Sequence, residues 1–171
     1  MNAILGMNEL VLRESKQPYI KEYAMYIKNS GKTLLTIISD ILDLSKIESG
    51  KVDIIIERYS LSSLVGDIER SIQKRVMEKN LTLNVYVDPE LHENLLGDEV
   101  RIKQIIMNLL TNAVKYTEKG SIDLRITGTV HEKNQDLVIE VADTGIGMHA
   151  EDLGKLFTKF ERFDLKRNRS V

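Results

Sequence analysis

Apolar residues in the first fifty positions recur with the spacing of a helix that packs along one side. One apolar row repeats every seven residues, which is the pattern of a helix packed along a seam. Pro18 fits the first turn of a helix and breaks a helix interior, so it marks the start of a second helix. The pattern predicts an antiparallel helical hairpin with arms Asn2–Glu14 and Tyr19–Glu48. The members of the heptad row are Ile20, Ile27, Leu34 and Ile41.

The two predicted arms differ in length. At the rise of an α-helix the longer arm would extend about 45 Å, more than twice the shorter one, so half of its apolar seam would stay uncovered. We therefore expect either a stretch of chain before Met1 or a partner that covers the seam. Two hairpins related by a two-fold axis would form a four-helix bundle, and a solitary coiled coil is the alternative.

From Lys51 onward the chain alternates between strand-like and helix-like patterns. Strict apolar–polar alternation predicts half-buried strands, and Asp98 is the expected N-cap of a helix. The order predicts an α+β protein, in which the hairpin (1–50) precedes an α/β sandwich (51–171) with a mixed sheet and helices on one face. The predicted strands are Val52–Glu57, Leu81–Val87, Ser121–Val130 and Leu137–Ala142, the last two forming a hairpin, and the predicted helices are Leu61–Lys79 and Asp98–Tyr116.

The composition narrows the classes of protein. Of the 171 residues, 42% are hydrophobic and 29% are charged, which is ordinary for a globular protein. The net charge of −2 argues against a nucleic-acid partner, and no apolar run reaches the roughly 20 residues of a membrane span. Cysteine is absent, which removes disulfides and thiolate chemistry and fits a reducing compartment.

The helix that ends at Tyr116 carries an unusual polar stripe. The residues on one side of it, opposite an apolar arc, are Arg101, Gln104, Asn108, Asn112 and Lys115. Paired asparagines are poor helix formers, although an ordinary solvated face is the simpler alternative. An amide oxygen suits Mg²⁺ and a lysine suits a phosphate, so the stripe indicates a phosphate and metal site. The expected apolar arc comprises Ile102, Ile106, Leu109, Leu110, Ala113 and Val114.

The second chemical signal follows the last predicted strand, where an aspartate precedes two glycines. A carboxylate at a strand end, here Asp143, can accept a hydrogen bond from an exocyclic amine such as that of adenine. Gly145 and Gly147 lack Cβ, so a base or a phosphate can approach their backbone closely. An ordinary turn is the alternative, because Asp and Gly are common in turns.

Three further segments carry weaker signals of a site. Leu156–Phe163 contains all three phenylalanines of the chain, and a small satellite core is the simpler interpretation. The polar, basic residues 164–171 that follow would form a lid near phosphates or a disordered tail. Ser30–Thr33 matches the end of a P-loop, but the upstream glycine is missing and the segment falls inside the heptad helix, so this match has little weight.

In this order the motifs resemble those of the catalytic core of bacterial sensor histidine kinases. Asn108–Thr117 resembles the family's N box, Asp143–Gly147 its G1 box, and Phe157–Phe163 its F box. Ile41–Lys51 resembles the end of the dimerisation hairpin. Met1–Gly6 resembles the segment that follows the phosphoacceptor box, so the resemblance covers nearly the whole chain.

The resemblance implies ATP and Mg²⁺ as cofactors and a role for each candidate residue. Asn112 would hold Mg²⁺ on the ATP phosphates, with Asn108 beside it, and Lys115 would contact phosphate. Tyr116 would line the nucleotide pocket, and Asp143 would bind the adenine amino group. The implied nucleotide-binding set is Asn108, Asn112, Lys115, Tyr116, Asp143, Gly145, Gly147 and Phe160.

The resemblance also implies partners. The expected activity is phosphorylation of a histidine with ATP, followed by transfer to an aspartate of a response-regulator receiver domain. The hairpin would form a homodimer, without nucleic acid and without membrane contact by this chain. The expected location is cytoplasmic, with or without a membrane anchor on the parent protein.

Two departures from the family pattern limit the expected activity. The histidines, His92, His131 and His149, all lie outside the hairpin, so the phosphoacceptor is missing and each is expected at the surface. The family's last glycine-rich box is expected after Val171, so both ends look cut. We predict that this polypeptide alone does not autophosphorylate, which acid-labile incorporation of radiolabelled phosphate would refute. The alternatives are a non-catalytic dimerisation scaffold and another ATPase of the same Bergerat (GHKL) type.

Overall fold

The chain divides into two compact units, Met1–Ile54 and Ile55–Val171. The computed structural model describes residues 2–132, 134–149 and 154. The first unit is helical, and the second combines helices with two small sheets. The elements are α1 (Asn2–Glu14), α2 (Pro18–Glu48), β1 (Glu57–Ser60), α3 (Leu61–Glu78), β2 (Thr82–Val87), β3 (Asn94–Gly97), α4 (Glu99–Tyr116), β4 (Ser121–Val130) and β5 (Gln135–Asp143).

The first unit is the predicted helical hairpin, with α1 packed against α2. Pro18 opens α2, because a residue without an N–H loses nothing at a position where that group has no helical partner. Asn8 of α1 is buried, and its side-chain amide donates to the carbonyl of Ala24 at 2.7 Å. Lys28 forms an ion pair with Glu9 beside this contact. One buried amide and one ion pair therefore join the two arms.

The side of α2 that faces α1 differs from the predicted heptad row. Ala24 is buried, and a Cβ on Gly31 would lie 2.7 Å from the side chain of Leu5, so α1 packs against these small residues. The row predicted as the seam is instead largely exposed within this chain, as are further apolar residues of α2 toward its end. The exposed fractions of Ile27, Leu34 and Ile41 are 51%, 44% and 52%.

The second unit is built on a three-stranded mixed sheet in the order β2-β4-β5. The central strand β4 is parallel to β2 and antiparallel to β5, so both the mixed sheet and the final hairpin are confirmed. Leu124 of β4 lies opposite Val85 of β2 and Val141 of β5. Apolar residues thus stand in register across all three strands on one face.

One face of this sheet is covered by α3 and α4. Ile122, Leu124 and Ile126 alternate along β4 and are almost fully buried, as the two-residue period of a strand requires. The alternate residues of β2 and β5 point to the other, more polar face. The prediction of helices on one face is confirmed. The helical side of the core includes Leu64, Ile68, Ile72, Ile106, Leu110, Ala113 and Val114.

A second sheet of two short strands was not correctly predicted. β1 pairs antiparallel with β3, with Tyr59 opposite Leu95. The prediction of a strand over Val52–Glu57 is wrong, because residues 51–56 form no strand and Ile54–Ile56 are exposed. Isoleucine favours strands wherever it can pack, but these residues have no strand partner in the described structure. The pairing instead begins at Glu57, where β3 lies alongside.

No helix in the described residues has the length and apolar character needed to span a membrane.

Candidate functional site

The site residues are presented by α4, whose start is fixed by a charged cap. Asp98 accepts hydrogen bonds from the backbone N–H of Arg101 at 3.0 Å and from that of Ile55 at 3.1 Å. These two bonds, of which the one from Arg101 has the larger effect, hold the pKa of the Asp98 carboxyl below its usual range. Asp98 is therefore the N-cap that the sequence predicts. The helix ends at Tyr116, also as predicted.

The two faces of α4 agree with the predicted stripe, with one exception. Asn108 and Asn112 are exposed on the side opposite the core. Near the start of the same stripe, the Arg101 guanidinium donates to the Gln104 amide oxygen at 3.0 Å. Leu109, which the sequence assigns to the core arc, is 43% exposed. The sheet and α3 cover an arc narrower than the helical wheel suggests, so Leu109 falls at its edge.

Asn112 and Lys115 border a groove of about 380 Å³ between α3 and α4. The Lys115 ammonium lies 5.0 Å from the centre of the Tyr116 ring, a distance at which a cation and an aromatic face attract each other. The last turn of α4 therefore holds an amide, a cation and an aromatic ring together. Asp143 does not line this groove. The other lining residues are Arg75, Glu78, Lys79, Thr111 and Val114.

Asp143 is the last residue of β5, and its carboxylate is tied to the end of α4. Its Oδ1 accepts from the backbone N–H of Gly145 at 2.8 Å and from the Thr117 hydroxyl at 3.4 Å. The backbone N–H of Ile146 donates to the Tyr116 carbonyl at 3.3 Å. Tyr116, Asp143 and Gly145 are thus brought into one hydrogen-bonded cluster, which we name the Asp143 loop cluster, together with Thr117 and Ile146.

The two glycines of this loop are needed for different reasons. A Cβ on Gly145 would lie 2.5 Å from the Tyr116 carbonyl oxygen and 2.6 Å from Asp143 Oδ1, closer than carbon approaches oxygen in proteins. Gly147 has open space around it but a φ of +64°, in the left-handed region that side chains disfavour. Gly145 therefore supplies room for the contact with α4, and Gly147 supplies a turn.

The remaining candidates are the aromatic segment and the three histidines. Phe160 and the aromatic segment 156–163 lie outside the described residues. His92, His131 and His149 are exposed, as predicted. His131 lies 3.1 Å from the carboxylate of Asp136, at the turn between β4 and β5.

The sequence pattern does not reveal the roles of Thr117, within the cluster, and of Lys79, beside it. Thr117 is fully buried, and its hydroxyl contacts Asp143. Lys79 follows α3 and donates to three backbone carbonyls at the end of α4. A lysine or threonine at a helix end is common, so no local signal distinguishes these two. Only their distant partners reveal their role.

The fold and the site together define the class of protein. A mixed sheet under two helices, an asparagine-bearing helix and an Asp-x-Gly-x-Gly loop at its end describe the Bergerat-type ATPase class. Residues 97–170 match the family described as "Histidine kinase-, DNA gyrase B-, and HSP90-like ATPase". Residues 1–50 match the "His Kinase A (phospho-acceptor) domain". The second match disfavours a gyrase-like or chaperone ATPase, because the matching model describes a histidine kinase domain.

Known histidine kinases are similar to this chain over most of its length. Hybrid signal transduction histidine kinase L of Dictyostelium discoideum is 42% identical over 161 residues, which are 94% of this chain and 9% of that protein. Signal transduction histidine-protein kinase BarA of Escherichia coli (strain K12) is 31% identical over 170 residues, 99% of this chain and 18% of that protein. The chain therefore spans less than a fifth of these relatives.

The architecture is also similar to that of a solved structure. Full-length ShkA in complex with AMPPNP superposes with a TM-score of 0.71 at 26% identity, covering 88% of this chain and 32% of that one. The chain belongs to the sensor histidine kinases and carries the hairpin and ATPase domains of their catalytic core.

Proposed function

We propose that the chain is the ATP-binding core of a parent kinase that phosphorylates a histidine and passes the phosphoryl group to a response-regulator aspartate. The support is the order of its two modules and the names of the relatives that match it along nearly its whole length. Residues 1–50 contain no histidine. In this proposal the acceptor is therefore supplied from outside that segment.

The single observation that carries the nucleotide site is the attachment of Asp143 to the end of α4. A carboxylate has two oxygens, each with two lone pairs. Oδ1 of Asp143 accepts from Gly145 and Thr117, so the carboxylate can still accept from a further donor through its other oxygen. We assign that donor to the adenine amino group. Tyr116 would then flank the base, and Gly145 and Gly147 would keep the loop thin enough for close approach. Phe160 belongs to the proposed set through the resemblance of its segment to the F box alone.

The phosphates are assigned to the polar stripe of α4. Asn108 and Asn112 offer neutral amide oxygens to Mg²⁺, and Lys115 offers a positive charge to phosphate. Among the described residues no group of three or more His, Asp or Glu side chains could hold a metal. Two amides carry no charge, so they fit a metal ion that arrives with the phosphates. We therefore expect tight Mg²⁺ binding only in the presence of nucleotide.

The partners are proposed from the hairpin. The exposed apolar row of α2 would be covered by a second copy of the chain in a homodimer, as in the four-helix bundle expected from the sequence. The receiver domain of a response regulator is the proposed acceptor of the phosphoryl group. Bound ATP would supply the activated phosphoryl group, while the residues of this chain bind, orient and shield it.

Asp143→Ala tests the nucleotide assignment. The variant loses a charge-assisted hydrogen bond of about 1.5–3 kcal/mol, which corresponds to an affinity about 10- to 150-fold weaker. Calorimetric titration of AMP-PNP with and without Mg²⁺ measures this loss. Asp136→Ala is the matched control, because Asp136 lies near the start of the same strand and is exposed beside His131. Parental affinity in Asp143→Ala would refute the adenine assignment.

A further inference from the structure

Lys79 directly follows α3 and connects it to the C-terminal end of α4. Its ammonium donates to the carbonyl oxygens of Val114 at 2.8 Å, Lys115 at 2.9 Å and Thr117 at 3.3 Å. The last carbonyls of a helix lack helical partners and carry the negative end of the helix dipole. A single lysine therefore holds the backbone of the last turn of α4 from the neighbouring helix.

The backbone that Lys79 holds is also the backbone to which the Asp143 loop cluster is attached. Between the carbonyls bound by Lys79 lies the Tyr116 carbonyl, which accepts from Ile146. The hydroxyl of the next residue, Thr117, donates to Asp143. A change in the path of this turn would move both attachment points of the loop at once.

We propose that Lys79 is a positioning residue for the nucleotide site, which sets the last turn of α4 and through it the place of the Asp143 carboxylate. This inference rests on the proposed ATP binding by Asp143. The ammonium suits the task because it has three N–H donors and no acceptor, one donor for each of the three carbonyls. Lys79 borders the same groove as Asn112 and Lys115, but its N–H donors are engaged by the three carbonyls, so we assign it to positioning rather than to phosphate binding.

The test compares Lys79→Met with Lys74→Met in the 171-residue chain. Lys74 lies on α3 and is exposed next to Glu78, so its variant removes the same charge without touching α4. We expect Lys79→Met to bind AMP-PNP about five- to twentyfold more weakly and Lys74→Met to stay within about twofold of the parent. Lys79→Arg, which retains donors, should recover most of the affinity, and Lys79→Gln replaces Lys79→Met if the latter does not fold.

Amide hydrogen exchange supplies a readout that does not need nucleotide. The Ile146 amide donates to the Tyr116 carbonyl, so it should exchange faster in Lys79→Met and unchanged in Lys74→Met. If Lys79→Met loses stability but keeps the affinity and the Ile146 exchange of the parent, the inference is overturned. Lys79 would then only cap the end of α4. If the parent chain itself fails to bind AMP-PNP, the proposed function fails, while the exchange of Ile146 still decides whether Lys79 positions the loop.

Discussion

Replacing Gly145 by alanine perturbs the contact between the Asp143 loop and α4 at its closest point. The new Cβ would lie 2.5 Å from the Tyr116 carbonyl oxygen, 2.6 Å from Asp143 Oδ1 and 3.0 Å from the Thr117 hydroxyl. The first of these is backbone, so it cannot rotate away as the end of a flexible side chain can. The loop must therefore move outward from the end of α4.

The size of the effect follows from what the outward movement disrupts. Overpacking of this kind costs about 1–3 kcal/mol of unfolding free energy. The movement also lengthens the bond from Gly145 to Asp143 and the bond from Ile146 to Tyr116. Because the Asp143 carboxylate moves with the loop, we expect AMP-PNP to bind at least about tenfold more weakly, equivalent to about 1.4 kcal/mol.

Urea unfolding and calorimetric titration measure the two effects, and Gly147→Ala is the matched control. Gly147 has a φ of +64° but no atom near a new Cβ, so alanine there costs about 1–2 kcal/mol through backbone strain alone. We expect Gly147→Ala to weaken nucleotide binding less than Gly145→Ala. The reasoning is wrong if Gly145→Ala binds AMP-PNP as the parent does, or if the two variants lose equal affinity.

Two further substitutions test the contacts that start α4 and join the hairpin. Asp98→Ala should lower the urea midpoint at pH 7. Because the pKa of Asp98 is lowered in the folded chain, the loss of stability relative to the parent should be full above about pH 4. It should shrink as the pH falls through the folded-state pKa. Asp98→Asn, which keeps a neutral capping oxygen, should lose less stability than Asp98→Ala at pH 7, and a pH-independent gap between Asp98→Ala and the parent would contradict the cap assignment. Asn8→Ala leaves the Ala24 carbonyl without its buried donor and should cost about 1–3 kcal/mol in thermal or urea unfolding, whereas the exposed Asn29→Ala should cost little; equal losses would contradict the buried contact.

Much of the fold follows from local signals in the sequence. Pro18 and Asp98 mark helix starts because a missing N–H or a capping carboxylate acts on the adjacent turn. The alternation along β4 gives its bounds, since a strand with one buried face must repeat every two residues. The Asp-x-Gly-x-Gly run after a strand identified the loop, because Asp143 and Gly145 are near each other along the chain.

The tertiary structure decided what depends on distant partners. The isoleucines before β1 have strand propensity but no neighbouring strand, so the pairing lies further along at Glu57. The side of α2 that receives α1 is set by the small residues Ala24 and Gly31, not by the heptad row. Lys79 and Thr117 acquire their roles only when the last turn of α4 reaches them. A sequence pattern reports the preference of each segment, but contact between segments depends on shape and unpaired groups that exist only after the chain has folded.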